Sequence, residues 1–257
     1  MITEIKASQN PKIKLVKSLL QKKNRLKNRL YTVEGIKSVR DAINAKAEIS
    51  MIFISENFGE GVENFKMYDC YTVPESIFST LCDTETPQGI LAVIKMSGEK
   101  NFSPEKEKPY IYCDKVSDPG NLGTIIRTAD ATGFGGVLLS EGCADLYSPK
   151  TVRSSMGSFF HIPVYEKIGT EEIKKIKMSG FFFYCGALGE NTKHYTHADF
   201  NKPTLIAVGN EANGISKEIL ALADACVKIP ISGAAESLNV GVAAAVLMYE
   251  VIRQRSE

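Results

Sequence analysis

The chain contains no tryptophan, three histidines, and no apolar run approaching the ~20 residues that a membrane-spanning helix needs. By the last absence, no membrane-spanning helix is expected. His161, His194 and His197 have no thiol or carboxylate beside them at ligand spacing, so no metal is expected, and His194 and His197 read as surface residues. Cys70, Cys82, Cys113, Cys143, Cys185 and Cys226 form no C-x-x-C pair. Several lie in apolar, strand-like stretches, where cysteine acts as a small hydrophobe. They read as reduced thiols, which points to a cytoplasmic protein. The first residues carry Lys6, Lys12 and Lys14 and lack the apolar core of a secretory signal. A G-x-x-x-x-G-K-[ST] phosphate loop is missing, and Gly133-Phe134-Gly135-Gly136 precedes a strand instead of following one. Phosphate-loop nucleotide binding and nicotinamide binding therefore lose support, and no Ser/His/Asp nucleophile set is evident.

What is present is a chain of 257 residues, 44% of them hydrophobic, enough for one large or two small domains with a real core. The formal net charge of +1 hides an asymmetry. Lys6, Lys12, Lys14, Lys17, Lys22, Lys23, Arg25, Lys27 and Arg29 crowd the start of the chain against a single acid, Glu4. Such a cluster reads as a phosphate-binding footprint, with a solvated helix face as the plain alternative.

Helical spacing of Ile13, Val16, Leu19 and Leu20 predicts an amphipathic helix over Asn10 to Lys23, with Pro11 in its first turn. Strands are expected at Tyr31–Gly35, Met51–Ile54, Tyr71–Val73 and Ile90–Ile94, with helices over Ile36–Ala45 and Pro74–Leu81. That alternation makes a small α/β unit. The polar stretch Lys95 to Lys108, with Ser97-Gly98-Glu99-Lys100 and Ser103-Pro104, is the expected linker. The expected organisation is a substrate-binding domain over residues 1–95, a linker over 96–108 and a second domain over 109–257.

In the second half, strands at Tyr110–Cys113, Gly136–Leu139, His161–Val164, Phe181–Cys185, Leu205–Val208 and Cys226–Ile229 alternate with helices. After a turn over Asp118–Asn121, the helices are expected from Leu122 to near Gly133, from Ser148, over Glu171–Met178 and over Ser216–Ala223. This order implies a mostly parallel sheet covered on both faces. A final helix, rich in Ala and Val, runs to Arg255, with Ser237 as its expected N-cap. Ligands of such sheets bind at the carboxyl ends of the strands. Three loops there are rich in Gly, Asn and Ser: Asp118 to Arg127, Gly209 to Ser216, and Pro230 to Asn239.

Together these loops resemble the three motifs of the SpoU-type (TrmH family) RNA ribose 2′-O-methyltransferases of the SPOUT superfamily. The motifs are Asp118-Pro119-Gly120-Asn121-Leu122-Gly123 with Arg127, Gly209-Asn210-Glu211 followed by Gly214-Ile215-Ser216, and Ile229-Pro230-Ile231 with Ser237-Leu238-Asn239-Val240. Each loop alone is a weak signal; three in series are strong. Asn10-Pro11-Lys12-Ile13-Lys14 and Val33-Glu34-Gly35 are similar, more loosely, to the substrate-binding domain of ribosomal-RNA members.

The resemblance implies an α/β catalytic domain with a deep trefoil knot, S-adenosyl-L-methionine as cofactor, a homodimer, and RNA as substrate. By motif position it implies cofactor contacts at Gly209, Ile229 and Leu238, with Ala187 and Leu188 as further candidates. Asn121, Arg127, Glu211, Ser237 and Asn239 match the motif residues at the reacting end. Each also has a plain structural reading: Asn121, Ser237 and Asn239 as caps, Arg127 as an ion-pair partner, Glu211 as a solvated acid. The implied reaction moves a methyl group from a sulfonium to a ribose 2′-hydroxyl. The family assigns proton acceptance to the arginine at the position of Arg127. A guanidinium is charged at any ordinary pH, so stabilising an alkoxide or clamping a phosphate is the chemically easier role. The basic helix and separate first domain favour ribosomal RNA as substrate. Transfer RNA, or a non-catalytic RNA-binding role in ribosome assembly, are the alternatives.

Overall fold

A computed structural model of the chain describes residues 2–59, 65–98, 101–189 and 192–256. Glu99 and Lys100 of the expected linker lie outside the described residues. In chain order the elements are β1 (Ile2–Glu4), α1 (Pro11–Ser18), α2 (Lys22–Asn28), β2 (Leu30–Glu34), α3 (Ile36–Asn44), β3 (Ile49–Ser55), β4 (Cys70–Val73), α4 (Glu75–Phe78), β5 (Ile90–Lys95), β6 (Tyr110–Cys113), α5 (Pro119–Ala131) and β7 (Gly136–Leu139). They continue as α6 (Pro149–Ser154), β8 (Val164–Tyr165), α7 (Thr170–Met178), β9 (Phe182–Gly186), β10 (Lys193–His194), β11 (Thr204–Val208), α8 (Lys217–Leu220), β12 (Ala225–Lys228) and α9 (Val240–Arg255). The chain divides into two compact units, Met1–Gly98 with Asp145–Phe160, and Glu99–Ala144 with His161–Glu257.

The first unit is built on a mixed sheet in the order β1-β4-β3-β5-β2. Strand β1 was not expected from the sequence; it pairs in parallel with β4. One face carries Ile13, Val16 and Leu19 against Phe53, Val73 and Phe78. The other carries Val33, Val39 and Ile52, joined by Tyr147, Val152, Phe159 and Phe160 from the segment Asp145–Phe160. The single helix expected from Asn10 to Lys23 is two helices. Asn10 caps the first by accepting from Lys12 N at 2.9 Å. At the break, the Arg25 guanidinium donates to the carbonyls of Leu19 and Leu20 at 2.7 and 2.8 Å, so the chain can turn without leaving those acceptors empty. Arg25 is buried and ion-paired with Asp145, so it leaves the basic cluster in which the sequence placed it. Lys12, Lys14, Lys17, Lys22, Lys23 and Lys27 stay exposed.

The second unit is a seven-stranded sheet in the order β10-β12-β9-β11-β6-β7-β8, parallel at every pairing. Strands β6, β7 and β11 are buried at every residue, as expected where both faces are covered. Tyr110, Tyr112, Phe183, Leu205 and Ala207 pack on one side with Ile173 and Ile176 of α7. Helices α5 and α9 pack against each other closely at Gly241, where a Cβ would lie 3.2 Å from Thr124 Cγ2.

Local capping differs from expectation in two places. Helix α5 begins at Pro119, so the expected turn Asp118–Asn121 is its first helical turn, with Asp118 accepting from Asn121 N at 2.9 Å. Helix α9 is capped by Asn239 instead of Ser237; its Oδ1 accepts from Gly241 N and Val242 N at 2.9 and 3.3 Å. The expected strand at His161–Val164 shrinks to two residues, Val164–Tyr165, at the sheet edge. Among the described residues no group of His, Cys, Asp or Glu could hold a metal ion, and no helix is long and apolar enough to cross a membrane.

Candidate active site

Strands β12, β9, β11 and β6 are consecutive neighbours, so the segments leaving their carboxyl ends lie side by side. These are Ile229 onward, Ala187–Leu188, Gly209 onward and Asp114 onward. Over the first three opens a cavity of about 570 Å³, within the usual range for a small-molecule site. Ala187, Leu188, Gly209, Ile229 and Leu238 all line it, as do Glu211, Ser237 and Asn239. Leu188 and Leu238 are large apolar side chains left exposed, 62% and 39%, at its wall. Lys228 is the one cationic lining residue among those described, and Glu211 the one carboxylate.

The loop after β11 is a tight, self-bonded structure. Asn210 N and Gly214 N each bond the other's carbonyl at 2.9 Å. Asn210 Oδ1 accepts from Ala212 N and Asn213 N at 3.0 and 3.1 Å. Gly209 has no space for a side chain, since a Cβ would lie 2.2 Å from Gly214 C and 2.3 Å from Ile215 N. That glycine is required by its own loop, whatever binds beside it. The buried Asp114, at the end of β6, accepts from Ser216 N at 2.6 Å and ties the same loop to the next strand.

Three of the five reacting-end candidates form one hydrogen-bonded chain. Asn239 Nδ2 donates to Asn121 Oδ1 at 2.9 Å, and Asn121 Nδ2 donates to Glu211 Oε1 at 2.8 Å. Glu211 also accepts from Asp118 N at 3.1 Å, Ser117 N at 3.0 Å and Ser117 Oγ at 2.8 Å. The direction of both amides is set at the ends of the chain. The first backbone N–H groups of α9 demand an oxygen from Asn239, and a carboxylate can only accept from Asn121. Each residue thus pins one of the three loops to the next. Burial works to raise the Glu211 carboxyl, but the hydrogen bonds from Asn121 and Ser117 outweigh it and hold it down at about 2.

Arg127 and Ser237 stand apart from this chain. Ser237 is exposed on the cavity wall. Arg127 is exposed on α5, does not line the cavity, and has no hydrogen-bond or ion-pair partner among the described residues. Asn121 sits next to the cavity through its bonds to Glu211 and Asn239 without lining it. Asp114, Ser117 and Asn210 are contributors that the sequence reading passed over. Asp114 had a readable signal, an acid closing the apolar run Tyr110–Cys113. Asn210 stood inside the second motif without a role of its own, and Ser117 had no signal, since its partner lies on the other strand's loop.

Residues 108–249 match the family model of the SpoU rRNA methylases, and residues 10–92 match the MRM3-like substrate binding domain. The chain is 37% identical, over 96% of its own length and 98% of the relative's, to the 23S rRNA (guanosine(2553)-2'-O)-methyltransferase RlmP of Bacillus subtilis (strain 168). It is similar in structure to an AdoMet-bound rRNA methyltransferase from Sinorhizobium meliloti, with a TM-score of 0.90, 31% identity and 98% of each chain covered. It is also similar to the SpoU methyltransferase AviRb from Streptomyces viridochromogenes in complex with AdoMet, with a TM-score of 0.87, 26% identity, and 97% of this chain and 99% of that one covered.

Proposed function

The chain belongs to the SpoU rRNA methylase family, and on that premise we propose that it methylates a ribose 2′-hydroxyl of ribosomal RNA with S-adenosyl-L-methionine. The observation that carries this reading is the junction of three motif loops, through Asn239, Asn121 and Glu211, beside a cavity of cofactor size. The cavity suits the cofactor: Leu188, Ile229 and Leu238 offer apolar surface for a flat base, and the strand ends offer backbone groups for its polar edge. When bound, the cofactor supplies an electrophilic methyl group on a sulfonium.

The protein's own groups divide the remaining work. Glu211 acts as an anchor; its acceptor positions are occupied and its low affinity for protons makes it a poor base. Asn239 is committed to α9 on one side and to Asn121 on the other. That leaves Ser237, exposed on the wall, to bond the ribose, and Arg127 to hold the adjacent phosphate or the developing alkoxide. Arg127 lies six residues beyond Asn121, a rise of about 9 Å along α5.

We assign RNA binding to the first domain, residues 1–95, joined by the linker 96–108 to the catalytic domain, residues 109–257, of which the segment Asp145–Phe160 belongs to the first compact unit. The exposed lysines of α1 and α2 support this. The family resemblance further supports a trefoil knot, a cytoplasmic location and a homodimer through the catalytic domain; Val242 and Tyr249, exposed on one face of α9, suit the dimer. Light scattering should give twice the chain mass. Mapping ribose methylation in ribosomal RNA from cells with and without the protein tests the activity: one or more 2′-O-methyl marks should vanish with the gene, and an unchanged map would refute it.

A further inference from the structure

We propose that Lys115 is a backbone-phosphate contact for the RNA substrate, presented by the turn that follows β6. This inference rests on the RNA-methylating reading above. Lys115 has φ +56, a left-handed conformation in which a side chain is disfavoured relative to glycine. Two of the other residues with positive φ, Arg29 and Lys46, close helices, where that conformation is ordinary. Lys115 closes a strand, and the surrounding structure holds it in place. Its N–H donates to Ser140 Oγ at 2.8 Å, and its carbonyl accepts from Asn210 Nδ2 at 2.8 Å. Its aliphatic stem runs beside Gly142, where a Cβ would come within 3.4 Å of Lys115 Cγ.

The held residue is exposed, and its ammonium group has no anionic partner among the described residues. It stands two positions before Ser117, which grips Glu211, and it is fixed by Asn210, the neighbour of Glu211. The turn that carries this cation is therefore bonded directly to the loop that carries the site's anchor. Lys115 does not line the cavity. Phosphates flank every ribose in RNA, and contacts to them set register without reading sequence. A compact ammonium on a supported stem suits that role.

Lys115→Gly separates the two explanations of this residue, because glycine suits the backbone and removes the cation. The probe is deproteinised large-subunit ribosomal RNA, titrated by filter binding across a salt series, with S-adenosylmethionine titrated separately by calorimetry. The variant should keep its melting temperature and its cofactor affinity. Its RNA affinity should fall, and the slope of log affinity against log salt should shrink by about 1. Lys115→Arg, which keeps the charge, should retain most of the affinity. Unchanged RNA affinity and slope in Lys115→Gly would overturn the proposal. So would an equal loss of cofactor binding, which would place Lys115 in the cofactor's support. A wild-type protein that binds cofactor but leaves ribosomal RNA unmodified would instead sink the reading on which this one rests.

Discussion

Replacing Asn121 by Asp tests the hydrogen-bonded chain with almost no change of shape. The substitution puts a second carboxylate where Asn121 Nδ2 now donates to Glu211 Oε1 at 2.8 Å, while the bond from Asn239 Nδ2 survives. A hydrogen bond to a charged group contributes about 1.5–3 kcal/mol. Two like charges about 4 Å apart repel by about 1 kcal/mol when water screens them. Glu211 is exposed, so the lower end of the first applies and solvent discounts the sum, leaving a loss of about 2 kcal/mol. If that energy keeps the loops in their binding arrangement, the dissociation constant for S-adenosylmethionine should rise roughly 30-fold at pH 7.5. The pH dependence fixes the cause. In the native chain the depressed Glu211 carboxyl contributes stability above its ordinary range, near 4.5, and loses it as pH falls toward about 2. In Asn121→Asp the two carboxylates share a proton at a raised pKa, which restores a hydrogen bond as pH falls. The deficit should therefore narrow between pH 7.5 and pH 5. Calorimetry showing an affinity within twofold of the parent at pH 7.5, or a deficit that widens on acidification, would refute the latch.

Arg127→Ala should abolish methyl transfer with cofactor affinity nearly unchanged, and Arg127→Lys should be almost as poor if the planar fork is what matters; methyl incorporation into the cognate RNA measures both. Leu238→Asp should weaken cofactor binding at least tenfold by calorimetry, since it puts a charge on an apolar wall. Gly209→Ala should lower the melting temperature by several degrees, because its methyl group would collide with the backbone of Gly214 and Ile215 and overpacking costs about 1–3 kcal/mol.

Features set by local rules were legible in the chain. The run Gly136–Leu139 is a strand at the expected bounds, and Pro119 behind Asp118 marks a helix start, even though a turn over Asp118–Asn121 places that start three residues late. Features set at long range were not. Ser237 and Asn239 are both good caps, and what selects Asn239 is its second bond, to a residue 118 positions earlier. Arg25 reads as one more cation on a basic helix, and the counter-charge that permits its burial, Asp145, lies far along the chain. The same limit hid Ser117 and the bonding role of Asn210, whose partners are brought together by the order of strands in the sheet.

The segment Asp145–Phe160 has a consequence for how this protein is made and recombined. The first unit completes its core with Val152 and its aromatic neighbours, and neutralises Arg25 with Asp145, only after a further stretch of chain has been synthesised. At ribosomal speeds of about 5–20 residues per second, that unit waits for seconds with one flank open and a guanidinium lacking its counter-ion. Nor is it a cassette that one cut can free. A chimera that borrows residues 1–98 alone takes a lock without its bolt, and a graft faithful to the native core must carry residues 145–160 as well.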